Sequence, residues 1–210
     1  MKKLVVTVVG LLCLTSTAFA DNWGVGLRAG AAQNDPKDLK EAYDEAFDWG
    51  YSEKELTKGY GVFGLEGLYE WDLNDNGDML GVRLGIDLYG DSKLSLDWGD
   101  EKFTESTYAI PLTVYYKKDN GIKNWSWFAG AGLTIIHSEV EYKATGWPTE
   151  SWSKSKVFPH ITAGAEYRFC KLFALGAELR YNIAAKVKKE DLVLSDRSGI
   201  GGAITGRFYF

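Results

Sequence analysis

Cysteine, histidine, methionine and proline are all scarce: 2 Cys, 2 His, 2 Met and 4 Pro in 210 residues. Cys13 sits in an apolar N-terminal segment that reads as a cleaved export signal, which leaves Cys170 alone. An intramolecular disulfide is then excluded, and a zinc site built on cysteines is not expected. Basic excess is lacking as well. The 24 Lys and Arg are outnumbered by 29 Asp and Glu, so nucleic acid or a broad anionic surface is not expected as the main partner. Long apolar runs are confined to the N-terminus, and none reaches the roughly 20 residues of a membrane-spanning helix. Aromatic residues and glycine, by contrast, are abundant, with 8 Trp, 12 Tyr, 10 Phe and 24 Gly.

The N-terminus has the order of a secretory signal. Lys2 and Lys3 precede the apolar stretch Leu4 to Leu14, and Ala18-Phe19-Ala20 frames a cleavage site before Asp21. A lipoprotein signal is disfavoured because Leu12, not a small residue, precedes Cys13. The chain is therefore expected to divide into a signal at 1–20 and one folded domain at 21–210, whose 22 basic and 29 acidic residues give a formal charge of −7.

From Asp21 onward the dominant pattern has a period of two, the signature of strands with two unlike faces. Leu80, Val82, Leu84, Ile86 and Leu88 share one face, opposed by Gly81, Arg83, Gly85 and Asp87. Trp23, Val25, Leu27 and Ala29 likewise oppose Gly24, Gly26, Arg28 and Gly30. Eight such runs occur, centred near residues 27, 67, 84, 111, 130, 165, 177 and 205. Each is about the 9–11 residues of a tilted membrane-crossing strand. Connections alternate between short (Asp72–Asp78, Lys117–Asn124, Cys170–Leu172) and long (Gln33–Lys58, Gly90–Glu105, Lys143–Lys156, Ala184–Arg197). That asymmetry is expected of an outer-membrane barrel with short periplasmic turns and longer extracellular loops. The fold class is thus all-β, an eight-stranded antiparallel transmembrane β-barrel.

Two sets of residues follow from the alternation. Trp23, Tyr69, Trp71, Tyr116, Trp125, Trp127, Phe169, Phe173 and Phe208 cluster at the strand ends beside the short turns, as an aromatic girdle at the headgroup level. Arg28, Glu66, Glu70, Arg83, Asp87, Glu166, Arg168, Glu178, Arg180 and Arg207 fall on the opposite, luminal face. A soluble barrel would have to bury that charge or expose every bulky apolar side chain, whereas lipid accepts an apolar outside. Eight strands enclose a lumen just wide enough for side chains, so mutually paired charges are expected to plug it; a narrow pore lined by them is the alternative. In the first long loop, Leu39, Ala42, Tyr43, Ala46 and Phe47 recur at helical spacing after Pro36. The third holds Trp147, Pro148 and Trp152, aromatics suited to a surface ligand or to an outer girdle. Loops 33–58 and 143–156 are accordingly the candidate ligand-contacting segments.

Several motifs dissolve on physical grounds. Gly59-Tyr-Gly61-Val-Phe-Gly64 spells a dinucleotide fingerprint but opens a strand, with no helix N-terminus to hold a pyrophosphate. Asp72-Leu-Asn74-Asp-Asn76-Gly77-Asp78 begins like a calcium loop, yet Arg83 stands where the bidentate Glu belongs. His137, Ser138 and Glu139 are consecutive, and neighbours on a strand point to opposite faces, so His137 is no base for Ser138. His160 falls on the luminal face near Thr162 and Glu166, as a hydrogen-bonded core histidine. No catalytic, cofactor or metal site is expected.

With the export signal, eight alternating runs, the girdle and a terminal Phe210 after Gly206-Arg207-Phe208-Tyr209, the chain resembles the OmpX/OmpA-type small outer-membrane barrels over essentially its whole mature length. Asp21-Asn-Trp-Gly-Val-Gly-Leu-Arg-Ala-Gly looks like that family's first strand. The resemblance implies a Gram-negative outer-membrane location, lipid and lipopolysaccharide as surroundings, and Phe210 as the assembly signal read by the barrel-assembly machinery. It also implies a non-enzymatic structural or surface-interaction role, such as envelope integrity or adhesion, acting through the loops. No peptidoglycan-binding domain is expected after the eighth strand, unlike two-domain OmpA relatives. The alternatives are a narrow OmpW-like channel and an outer-membrane lipid-modifying enzyme.

Overall fold

Residues that alternate apolar with polar or glycine form strands that close on themselves. The computed structural model describes residues 23–33, 59–75, 77–95, 102–119, 124–143, 146, 148–189 and 192–210. The expected signal at 1–20 and the helical spacing from Leu39 to Phe47 lie outside these residues.

Eight strands make the wall: β1 (Trp23–Gln33), β2 (Gly59–Asp72), β3 (Met79–Tyr89), β5 (Lys102–Asp119), β6 (Trp125–Lys143), β7 (Glu150–Cys170), β8 (Phe173–Asn182) and β11 (Gly199–Tyr209). Each pairs antiparallel with its neighbours, and β1 closes on β11 from Gly24↔Tyr209 to Ala32↔Gly201. Three short strands are added. β4 (Ser92–Ser95) continues the line of β3 beside β5, while β9 (Lys186–Lys189) and β10 (Leu192–Asp196) form a separate hairpin. The β3–β5 ladder skips two positions between Leu84↔Leu112 and Asp87↔Ala109. Pro111 lies in that gap and has no N–H to donate.

The two faces differ as the alternation requires. Leu84 is 55% exposed on the outside, and the adjacent Arg83 is 3% exposed inside. Outward apolar side chains run all round the barrel and suit only a lipid surround. Among the described residues no helix is long and apolar enough to cross a membrane; the crossing is made by strands.

Three wall strands are longer than expected. β5 has 18 residues, β6 19 and β7 21, against the roughly 10 that hydrocarbon requires. The segments 102–105 and 150–156, expected as loop, are strand. They pair with β6, from Lys102↔Lys143 and from Tyr142↔Glu150. The sheet therefore stands above the barrel at the end opposite the short turns. Its polar residues hid the strands because neither face there meets lipid. The stretch Ala184–Arg197, also expected as loop, contains the β9–β10 hairpin.

Candidate functional site

The lumen is built in layers. Nearest the short turns, Glu166 is the hub: Lys117 Nζ donates to it at 2.5 Å and Arg207 Nη1 at 3.0 Å, and the Tyr209 hydroxyl lies 2.9 and 3.0 Å from its two oxygens. Lys117 also reaches Glu70 at 3.1 Å, and the Tyr115 hydroxyl donates to the same carboxylate at 2.8 Å. In the middle layer Arg83 clasps Glu178 through both terminal nitrogens, at 2.5 and 3.0 Å. Arg28 bonds Asp87, Arg180 bonds Asp87 at 2.8 Å and Glu178 at 3.2 Å, and Arg207 Nε donates to Glu66 at 2.7 Å. Two parallel N–H···O bonds to one carboxylate, as Arg83 makes, are among the strongest arrangements available to a buried ion.

Five cations (Arg28, Arg83, Lys117, Arg180, Arg207) thus face five anions (Glu66, Glu70, Asp87, Glu166, Glu178) in the membrane-spanning lumen. Glycines on facing strands make room for the bulk. A Cβ on Gly164 would lie 2.5 Å from Cζ of Phe128, whose ring sits under the Arg83 and Arg207 guanidiniums. One on Gly132 would lie 2.8 Å from the His160 ring and would collide with the Leu112 carbonyl.

Of the ten charges expected in the lumen, nine are in this network. Arg168 departs from it: its side chain is 35% exposed, 3.8 Å from Glu166 and over the Tyr209 ring at 4.3 Å. It lies close to the end of β7, where the lumen meets water. Lys117 belongs to the network although the sequence placed it at the edge of a turn; its parity with Thr113 and Tyr115 was the signal. His160 does not bond Thr162 or Glu166. Its ring nitrogens contact Thr134 Oγ1 at 2.8 Å on the adjacent strand β6 and Thr113 Oγ1 at 2.9 Å on β5, the next strand along, and Thr162 donates to the Leu179 carbonyl.

Above the charges, the lumen turns apolar. Tyr60, Tyr89, Ala109, Ile136, Val140 and Phe158 from the wall pack with Ala185 and Val187 from the β8–β11 connection. Trp152, expected as an exposed loop aromatic, packs against this cluster, because β7 continues its alternation and turns that ring inward. An all-charged lumen was therefore only part of the picture. Arg197 enters the same layer, with Nη2 donating to Glu105 at 2.8 Å and to Thr107 at 3.1 Å.

The girdle residues form runs of touching rings. Trp23, Tyr69 and Trp71 make one; Tyr116 and Trp127 a second; and Trp125, Tyr167, Phe169, Phe173 and Phe208 a third, with centroids 4.6 to 5.8 Å apart. Tyr167 was not among the residues expected. The terminal Phe210 is tied to the first strand by its N–H to the Trp23 carbonyl at 2.8 Å. In the turn after β2, Asn74 donates to Asp78 at 2.9 Å, and this bond holds the Asp78 carboxyl below its ordinary range.

On the outer face His137 Nδ1 lies 2.8 Å from Ser155 Oγ, its cross-strand neighbour, while Ser138 points inward to Thr107. Among the described residues no carboxylate hydrogen-bonds His137, and no group of His, Cys, Asp and Glu is placed to hold a metal ion.

Several solved structures share this architecture. A major outer membrane protein from Thermus thermophilus aligns at TM-score 0.54 and 13% identity, over 90% of this chain and 99% of its own. OprG from Pseudomonas aeruginosa aligns at 0.53 and 12%, over 90% and 96%, and Neisserial surface protein A at 0.50 and 16%, over 90% and 96%. At such identities the likeness is one of fold. No curated protein matches the sequence. Residues 4–201 match the family described as "Outer membrane protein beta-barrel domain", and with that match, the closed eight-stranded wall and the lipid-facing exterior, the chain belongs to the outer membrane protein β-barrel family.

Proposed function

We propose that this is a non-enzymatic barrel of the outer membrane that acts at the cell surface, in adhesion or envelope integrity, through the sheet and loops at its open end. The observation that carries this reading is the balanced luminal network. Five cations and five anions bonded to one another fill the space a solute would need. Taking such charges out of water costs several kcal/mol each unless they are paired, so the network is a structural core. Among the described residues, what is left to meet a partner is the extended β5–β6–β7 sheet, which rises roughly 30 Å of strand beyond the membrane at about 3.3 Å per residue.

Export through the 1–20 signal, recognition of Phe210 by the assembly machinery, and lipid and lipopolysaccharide around the outer face belong to the same reading. Of the two loops proposed to contact a surface ligand, 34–58 of the first lies outside the described residues, and 150–156 of the other is the edge of the raised sheet. A narrow channel is the second reading. The apolar layer at Tyr60, Tyr89 and Phe158 favours it, since an apolar entrance suits small uncharged solutes.

Replacing 138–154 with a short turn in cells separates the two readings. Surface attachment or detergent resistance should fall while the barrel still assembles and liposomes carrying it stay impermeable. Swelling of liposomes loaded with the native protein in a small neutral solute would contradict the surface role and support the channel.

A further inference from the structure

We propose that the upper lumen holds a small cluster of bound water molecules, fixed between Arg180 and Asn182 of β8. The residues paired with these two across the β8–β11 ladder are Gly201 and Gly199. On its other side, Gly201 pairs with Ala32 of β1. Around Arg180 and Asn182 the wall therefore sends in nothing larger than a methyl group from β11 and the end of β1. The space left is a cavity of about 40 Å³, whose borders include Ala32, Ala203, Val62, Tyr89, Arg180 and Asn182. Arg28, Asp87 and Glu178 border it on the side nearer the short turns.

Each of the two holders has one polar atom left over. Arg180 donates from Nη1 to Asp87 at 2.8 Å and from Nη2 to Glu178 at 3.2 Å. Its Nε is buried with no hydrogen-bond partner in the protein. Asn182 donates from Nδ2 to the Arg197 carbonyl at 3.3 Å, and its Oδ1 is likewise buried and unpartnered. Such atoms are rare in a folded protein, and bound water is their usual partner where a polar cavity gives it room. The occupant must accept from an N–H and donate to an amide oxygen. It must also be neutral. Two cations and two anions border the cavity, and they already bond one another: Arg28 with Asp87 and Glu178, Arg180 with the same two. An ion would add a buried charge with no counter-charge, and an apolar guest would leave both atoms unmet. Water meets every condition. A cavity of this size holds about three molecules, at roughly 10–15 Å³ for each. On the closed-lumen reading above, the ion pairs beneath stop the cluster from continuing, so this water is bound and not conducted.

Water–methyl NMR on the refolded mature chain in detergent micelles, with labelled Ala and Val methyl groups, tests this. The methyl groups of Ala32, Ala203 and Val62 should show cross-peaks at the water frequency. Their signs should be opposite in NOE and ROE spectra, the mark of water that stays bound while the protein tumbles. Tyr89→Phe should leave the cross-peaks in place; if they vanish, their source is the exchanging Tyr89 hydroxyl and the proposal fails. Asn182→Leu removes the acceptor and Ala32→Leu fills the space, and each should abolish the cross-peaks to Ala203 and Val62. Heat-modifiable gel migration reports that each variant is folded, and either one serves if the other does not fold. No cross-peak to any of the three methyl groups in the native chain would show that the cavity holds no water. Equal signs in the two spectra would show freely exchanging solvent in an open vestibule, and cross-peaks unchanged in both Leu variants would show that these residues do not hold the water. Each of those results overturns the proposal. Planar-bilayer current through the native chain would instead overturn the closed lumen, and not the hydration site.

Discussion

Glu166 illustrates how much a single luminal residue carries. Lys117, Arg207 and the Tyr209 hydroxyl all converge on its two oxygens, so its loss leaves two buried cations short of a partner. Removing one member of a buried pair typically costs about 3–5 kcal/mol, whereas replacing both by apolar groups can be nearly neutral. Glu166→Gln should therefore lower the urea midpoint of the detergent-folded barrel markedly. Lys117→Met with Glu166→Leu should lower it by less than the single change does. If Glu166→Gln is neutral, the network does not hold the barrel together. At this scale the sequence was informative about sidedness and poor about partners. Arg83 and Glu178 could be assigned to one face by parity, but their bidentate bond links strands 95 residues apart. Arg197 was illegible, because it follows a stretch with no period, while its partners Glu105 and Thr107 lie about 90 residues earlier on β5.

At the scale of elements, alternation named all eight wall strands, because lipid outside and a crowded lumen inside impose opposite demands on successive residues. It failed where that contrast fades. The raised parts of β5 and β7 carry polar residues outside, as at Ser106, Ser151 and Ser153, and only their pairing with β6 distinguishes them from loop. Close approach between strands leaves its own mark. Gly132 sits where a Cβ would strike the Leu112 carbonyl and the His160 ring, and neither can retreat: one is backbone and the other is held by Thr113 and Thr134. Gly132→Ala should destabilise the folded barrel by about 1–3 kcal/mol, the usual range for overpacking. The shift of the unfolding midpoint in urea measures it. A variant as stable as the native protein would mean that β5 and β6 have slack at this point.

For the whole molecule, the girdle, the apolar exterior and the charged interior answer to one environment, which is why location was legible and activity was not. Lipid exposure governs every outward side chain of the membrane-spanning wall, whereas a ligand would touch only a few residues. The account rests centrally on a lumen sealed by its own ion pairs. Single-channel conductance of the refolded mature protein in planar bilayers tests it most directly, alongside Arg83→Ala with Arg180→Ala, which removes two of the five network cations. No steady current from the native protein, with leakage or a lowered unfolding temperature in the double variant, is the predicted result. Reproducible current through the native barrel would contradict it and make the luminal charges a transport path.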